Sequence, residues 1–306
     1  MRKINQSLLF TLKDERGVTK ILVALSIVVL LGFTALVVDV GAIYFEKSRL
    51  QKALDAAVLG GAQHLKVSKE QAEETAIALA LENGFNVVKN DVTTGEDYIE
   101  IEKTVPKELT FARVLGFNEA DIHAVARVKL VQGLVKRSGV APIGLQDDNF
   151  EKNGPYDLNF NPGEAKKGNF GFLGIDGPGG SIVEESILNG SKTEVEEGMD
   201  VPTETGLTWG NVKKAIEERI KRDATKTHCN SPDTADNECS RVIIIPLVDS
   251  YDNLSGGGKV KIVRFAAFWI DSVQGQTIKG HFIDYVTSGT FEPGGESNIY
   301  GVKLVK

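Results

Sequence analysis

The chain of 306 residues is 42% hydrophobic and 25% charged, a balance that excludes an intrinsically disordered chain and leaves room for one large or two small folded domains. Its net charge of −7 argues against nucleic acid as a partner and against adhesion to anionic lipid through charge. With 32 glycines and 7% aromatics, turns and strands are expected over much of its length.

The first element is an uncharged stretch bounded by Ile21 and Val38 and closed by Asp39. A helix needs about 20 apolar residues to cross the hydrocarbon core, and Val18 and Thr19 extend the run past a snorkelling Lys20. A lone apolar stretch satisfies its backbone hydrogen bonds in lipid only as a helix, so residues 18–40 are expected to be a transmembrane helix. Residues 1–20 hold five basic and two acidic side chains, a net +3, which leaves −10 for residues 21–306. A basic flank stays in the cytoplasm, so residues 1–17 are read as a cytoplasmic segment and the acidic remainder as extracellular. A cleaved secretory signal competes, although Val40-Gly41-Ala42 is a poor cut site beyond a charged residue. A buried helix of a soluble domain would require a polar stripe that the run lacks. Asp39 is the one charged residue beside the span, and two readings stand: a functional acid at membrane depth, or a plainly solvated one.

The helix is expected to continue as a stalk. Ile43, Leu50, Leu54, Ala57, Gly61 and Leu65 recur with the period of one helical face, and small residues crowd its second half. That face, with Leu50, Leu54, Ala57 and Gly61 as its packing residues, suits close approach of partner helices or packing on the chain's own domain. A second helix is expected over 68–83, with Ser68 as N-cap, Gln71 three residues on, an apolar face of Ala72, Ala76, Leu79 and Ala80, and Gly84 at its end. Alternating strands follow over 98–102 and 122–130, separated by a short helix from Phe111 to Leu115 that Gly116 caps. Residues 41–132 thus form the stalk helix and a small α+β unit.

Residues 133–139 read as a linker, and 140–306 as a mainly β extracellular domain with one helix, over 208–222, capped by Thr208. A buried-type strand over 242–248 contains Pro246, which signals an edge or a bulge. Gly256-Gly257-Gly258-Lys259 lacks the second glycine and the Ser/Thr of a phosphate loop and reads as a hairpin turn. The fold class is therefore α+β: a transmembrane helix continuing into a stalk, a small α+β unit, then a mainly β domain.

Cys229 and Cys239 share one polar segment. In an oxidising compartment a local disulfide is the leading reading, with two free thiols as its alternative. Two cysteines with His228 fall short of a closed zinc site, and the acidic residues 233–238 do not match an EF-hand, so the segment reads as a solvated turn with no metal. The histidines 64, 123, 228 and 281 are scattered, and no nucleophile elbow or His-Glu-x-x-His run occurs. No cofactor and no enzymatic activity are expected.

The N-terminal residues resemble the Tad-type segment of TadE/TadG-like Flp pilus-assembly proteins. The resemblance rests on Glu15-Arg16-Gly17, the apolar span, Val38-Asp39-Val40-Gly41, and the run from Leu50 through Asp55-Ala56-Ala57 to Ala62. It extends more loosely through Phe111-Ala112-Arg113-Val114-Leu115-Gly116 to about residue 130. The resemblance implies a single-span, surface-facing part of a tight-adherence pilus system, partnered by the membrane, by pilin or platform helices, and by further copies of itself. Some TadE-like members are implied to be cut after a glycine, with glutamate as the fifth mature residue. A cut between Gly17 and Val18 would place Leu22 there, which moves the resemblance toward an uncut, TadG-like anchor. A second reading makes 140–306 an adhesive or ligand-binding module displayed on a tether, with Trp209 or Trp269 as exposed aromatics; a secreted-type hydrolase is the third.

Overall fold

The computed structural model describes residues 15–147, 154–160, 169–204, 209–251, 258–292 and 297–305, with the backbone alone for 15–18, 115, 169 and 170. The expected N-cap at Thr208, the turn at 255–257 and the basic side chains of residues 1–13 lie outside the described residues. In chain order the elements are α1 (Glu15–Ala62), α2 (Lys69–Glu82), β1 (Val92–Thr94), β2 (Tyr98–Glu108), β3 (Glu119–Gln132), β4 (Leu134–Arg137), β5 (Ile143–Gln146), β6 (Pro155–Phe160) and β7 (Asn169–Leu173). Then follow α3 (Gly180–Asn189), β8 (Val195–Glu196), β9 (Asp200–Glu204), α4 (Trp209–Arg222), β10 (Val242–Val248), β11 (Lys259–Gln274), β12 (Thr277–Phe282), β13 (Tyr285–Val286), β14 (Thr290–Phe291) and β15 (Ile299–Val305). The class is α+β. The chain folds as two units, Met1–Lys52 with Glu102–Val125, and Ala53–Ile101 with Ala126–Lys306.

The first unit is most of α1 with the outer halves of β2 and β3. At 1.5 Å per residue the 48 residues of α1 span about 72 Å. The unit buries Leu50 of α1 together with Leu109, Ile122 and Ala124, and the Gln51 side-chain amide donates to the Val125 carbonyl at 2.9 Å. Leu109 N donates to the Asn118 carbonyl at 2.9 Å where the two strands meet their connecting loop.

In the second unit, Ser68 Oγ accepts from Gln71 N at 3.3 Å and starts α2, whose Ala72, Ala76 and Ala80 are buried. Gly84, at φ 89°, follows its end. A five-stranded sheet runs β1-β2-β3-β15-β13. Its fourth strand is the last of the chain: β15 pairs antiparallel with β3 from Tyr300 opposite Gln132 to Val305 opposite Arg127. The α+β unit expected over 41–132 is therefore completed by residues nearly 170 positions away. The expected linker at 133–139 is corrected as well. It contains β4, the centre of a three-stranded sheet β14-β4-β8.

The remaining sheet runs β10-β5-β7-β6-β12-β11-β9, and β10 also pairs with β11 from Val242 opposite Trp269 onward, so the strands close into a ring. Strand period splits their side chains between two cores. Ile243, Ile245 and Leu247 join Ala266, Phe268 and Ile270 against Val183, Ile187, Val212 and Ile216 of α3 and α4. Ile244 and Val248 join Ile262, Ala267 and Trp269 in the other core, with Leu134, Cys229 and Ile299. Cover on both faces explains why β10 reads as an unbroken apolar run. Pro246 sits one residue before the bulge at Leu247/Val248. Among the described residues two α-helices, not one, serve this domain. Arg219 of α4 is buried and donates to the Ile187 carbonyl at 2.6 Å and the Ser240 carbonyl at 2.5 Å. Burial lowers its guanidinium to about 10, which leaves it charged at neutral pH. Asn298, also buried, accepts from Ala267 N at 2.9 Å and donates to the carbonyls of Ala267 and Ile283.

Candidate membrane-anchoring site

From residue 19 to residue 38 every side chain of α1 except Ala35 is exposed, Ile21 and Val38 at its two ends included. Apolar surface in water costs roughly 25 cal/mol per Å², and a continuous uncovered patch of this size marks a surface made for an apolar environment. The run is long and apolar enough to cross a membrane, and residues 21–38 alone rise roughly 27 Å against a hydrocarbon core of about 30 Å. Gly17 and Val18, which would flank a cut of the kind seen in some TadE-like proteins, lie within the first turn of the helix.

Where the apolar run ends, one stripe of the helix is covered. Ala35, Asp39, Ala42, Ile43 and Glu46 are partly or fully covered, at spacings of one helical face, while Val40, Gly41, Tyr44 and Phe45 stay exposed. Asp39 is 4% exposed, so the solvated reading gives way to a different one. Its carboxylate accepts three backbone amides of the β2–β3 loop: Thr110 N at 2.8 Å, Phe111 N at 2.9 Å and Ala112 N at 2.7 Å. These amides open the short 3₁₀ turn Ala112–Leu115, whose first N–H groups have no partner inside the turn. A carboxylate satisfies them as an N-cap does, but from another element 71 positions away in sequence. Gly116, at φ 92°, ends the turn. On the outside of this loop Phe111 is 45% exposed, Phe117 65% and Val114 89%.

The stalk residues have their cover already. Leu50 is buried in the first unit, and Leu54, Ala57 and Gly61 in the second. A Cβ on Gly61 would lie 2.6 Å from the Ala72 carbonyl oxygen and 2.9 Å from the Ala76 Cβ. At Gly61 the small-residue face therefore meets the chain's own α2. All four residues are covered within the chain itself.

Cys229 and Cys239 are bonded, with Cα atoms 5.4 Å apart. Their loop is not a solvated turn throughout. Asp236 is buried, 3.4 Å from His228 Nε2 and 3.8 Å from His64 Nδ1, and Asn237 Nδ2 donates to Gln63 Oε1 at 3.0 Å. Two of the histidines that are scattered in sequence thus flank one carboxylate. The disulfide consumes both thiolates, and the closest oxygen-and-nitrogen set there, His228 with Asp236 and Glu238, includes an exposed glutamate. Opening the disulfide removes a short loop constraint and is expected to lower stability by roughly 2–3 kcal/mol. The check is a melting curve of the paired Cys229→Ser, Cys239→Ser variant beside the native protein. Trp269 is buried and donates from its indole N–H to the Cys229 carbonyl at 2.9 Å, which removes it as an exposed binding aromatic. Trp209 is half-buried, stacks on Phe160 at 5.6 Å and donates to the Gly275 carbonyl.

The helix is long and apolar enough to cross a membrane, and it continues without a break to Ala62. Residues 17–64 match a family model, Tad, described as Putative Flp pilus-assembly TadE/G-like. The match spans α1 almost from end to end, takes in Asp39 and the Leu50–Gly61 face, and supports a Flp/Tad pilus-assembly role. No curated protein and no solved structure matches the chain. The β2–β3 loop, which completes the site around Asp39, lies outside the matched residues. Its sequence signal was a cluster of three large apolar residues, 111, 114 and 117, around a short helix.

Proposed function

We propose that the chain is a single-pass, membrane-anchored structural component of a Flp/Tad pilus-assembly system, with its N-terminus in the cytoplasm and its folded units on the outer side. The observation that carries this reading is the coincidence of the Tad match at 17–64 with a helix whose first half is apolar and uncovered. Orientation follows from the charge asymmetry, +3 for residues 1–20 against −10 beyond them. The bonded cysteine pair fits an oxidising compartment. Leu22 at the fifth position after Gly17, with Lys20 near the start of the span, supports an uncut anchor over a processed pilin.

The role is assembly or bracing, not catalysis. With the Leu50–Gly61 face occupied within the chain, the part of the helix free to meet pilin or platform helices is the span itself and the exposed side bearing Val40 and Tyr44. The test is mass spectrometry of the native N-terminus in isolated membranes and in sheared surface fibres. The expected result is an unprocessed segment found in membranes alone. A chain beginning at Val18 and recovered from fibres would make it a pilin-like subunit and overturn the anchor.

A further inference from the structure

We propose that the β2–β3 loop, residues 109–118, is a membrane foot: Phe111, Val114 and Phe117 enter the boundary between headgroups and acyl chains in the leaflet where α1 leaves the bilayer. The proposal rests on the anchoring reading and adds a second, peripheral contact with lipid to the span.

Three observations place the loop at that depth. Its amides at 110–112 are bound to the Asp39 carboxylate at 2.7–2.9 Å, and Asp39 directly follows the apolar run. Side chains on a helix lean toward its N-terminus, so the Asp39 carboxylate, and the loop it holds, reach back toward the span. Cover on the helix accordingly starts at Ala35, one turn inside the run.

The chemistry of the loop fits that depth. Phe111, Val114 and Phe117 stand open on a loop that is tied, through Asp39, to the end of a helix run that is itself apolar and uncovered. Arg113 is the one charged residue between Leu109 and Asn118, and its guanidinium pairs with Glu108 at 2.6 Å. An arginine at this level keeps its head in the headgroup layer while its stem stays in the apolar zone. Tyr44, exposed on the helix beyond Asp39, is a residue type enriched at the same interface. The acidic chain has no basic cluster on this loop, so apolar insertion, not attraction to anionic lipid, holds it.

The test uses the full chain in phosphatidylcholine vesicles. The native cysteines are bonded to each other, so Val114→Cys provides one free thiol for a nitrobenzoxadiazole label, and Ala24→Cys in the span provides a reference. The expected result is a blue-shifted emission at 114, quenched more by headgroup-level than by deep nitroxide lipids, with the reverse order at 24. If 114 is quenched by aqueous iodide while 24 is quenched by lipid, the foot is refuted and the anchor stands. If 114 is shielded from both iodide and nitroxide lipid, protein covers the loop and the foot is refuted. If 24 itself escapes the lipid quenchers, the anchoring reading fails and takes the foot with it.

Discussion

Asp39→Ala is expected to release the β2–β3 loop from α1 while leaving the closed sheet of the second unit intact. The carboxylate accepts three backbone amides, at 2.7–2.9 Å, that open a short 3₁₀ turn. A turn this short has no internal partner for those groups, so alanine leaves three donors without an acceptor at the point where the loop meets the helix. Asparagine is not a conservative replacement. Its side chain offers one acceptor oxygen and turns an NH₂ group toward the other donors, so Asp39→Asn is expected to resemble alanine more than aspartate. Hydrogen exchange read by mass spectrometry gives the answer. Amides 110–118 should exchange on the order of tenfold faster in the variant, whereas those of β10 and β11 should not change. Unchanged protection over 110–118 would mean that the strands alone hold the loop and that Asp39 is incidental. Because Ser26 and Thr34 are the only polar residues between Ile21 and Asp39, a charge retained at position 39 needs a local reason, and the three amides supply it.

What the sequence made legible was local. The apolar run, the Ser68 cap with Gln71 behind it, the glycines at 84 and 116, and the alternation in 98–102 and 122–130 each carry their own signal within a few residues, and each falls in the expected element. What stayed hidden depends on partners distant in the chain. Residues 133–139 read as a linker because Gly133 and Gly139 bracket only four strand residues, and the strands that make β4 a strand are β8 and β14, some 60 and 155 positions on. β3 reads as a strand but does not announce that the last strand of the chain pairs with it. Helix α3 follows a Gly-Pro-Gly-Gly turn and is ten residues long, too short for its period to stand out. The same limit applies to the site. Asp39 was conspicuous as a charge beside a span, but the amides it binds lie 71–73 residues away, and no spacing rule connects them. The small residues of the stalk were legible as a packing face and illegible as to what packs there, since α2 and a partner helix ask for the same Ala and Gly pattern.

That ambiguity yields the second large effect, a pair of substitutions with opposite signs. An alanine inside a helix is better than glycine by about 1 kcal/mol from backbone entropy alone. At Gly41, where nothing lies within 4 Å of a new Cβ, Gly41→Ala should keep that gain and leave the melting temperature level or slightly higher. At Gly61 the same change places Cβ 2.6 Å from the Ala72 carbonyl oxygen, 2.9 Å from the Ala76 Cβ and 3.0 Å from the Ile99 Cδ1. The carbonyl belongs to backbone at the start of α2 and cannot rotate aside, so relief requires α2 to move off the helix end. Overpacking of this kind costs about 1–3 kcal/mol, which offsets the propensity gain and exceeds it at the upper end; Gly61→Leu, which also has to bury a side chain where there is no space, should lose more. At about 2–4 °C per kcal/mol for a folded body of this size, Gly61→Leu should melt well below the parent. The measurement is a thermal unfolding curve on the purified, detergent-solubilised protein with no pilus partner present. A clear loss for Gly61→Leu alongside no loss for Gly41→Ala means that the small-residue face holds the chain's own second helix. Equal melting of Gly61→Leu and parent would mean that the face is vacant in the isolated protein and kept small for a partner, and the packing of α1 on α2 would have to be abandoned.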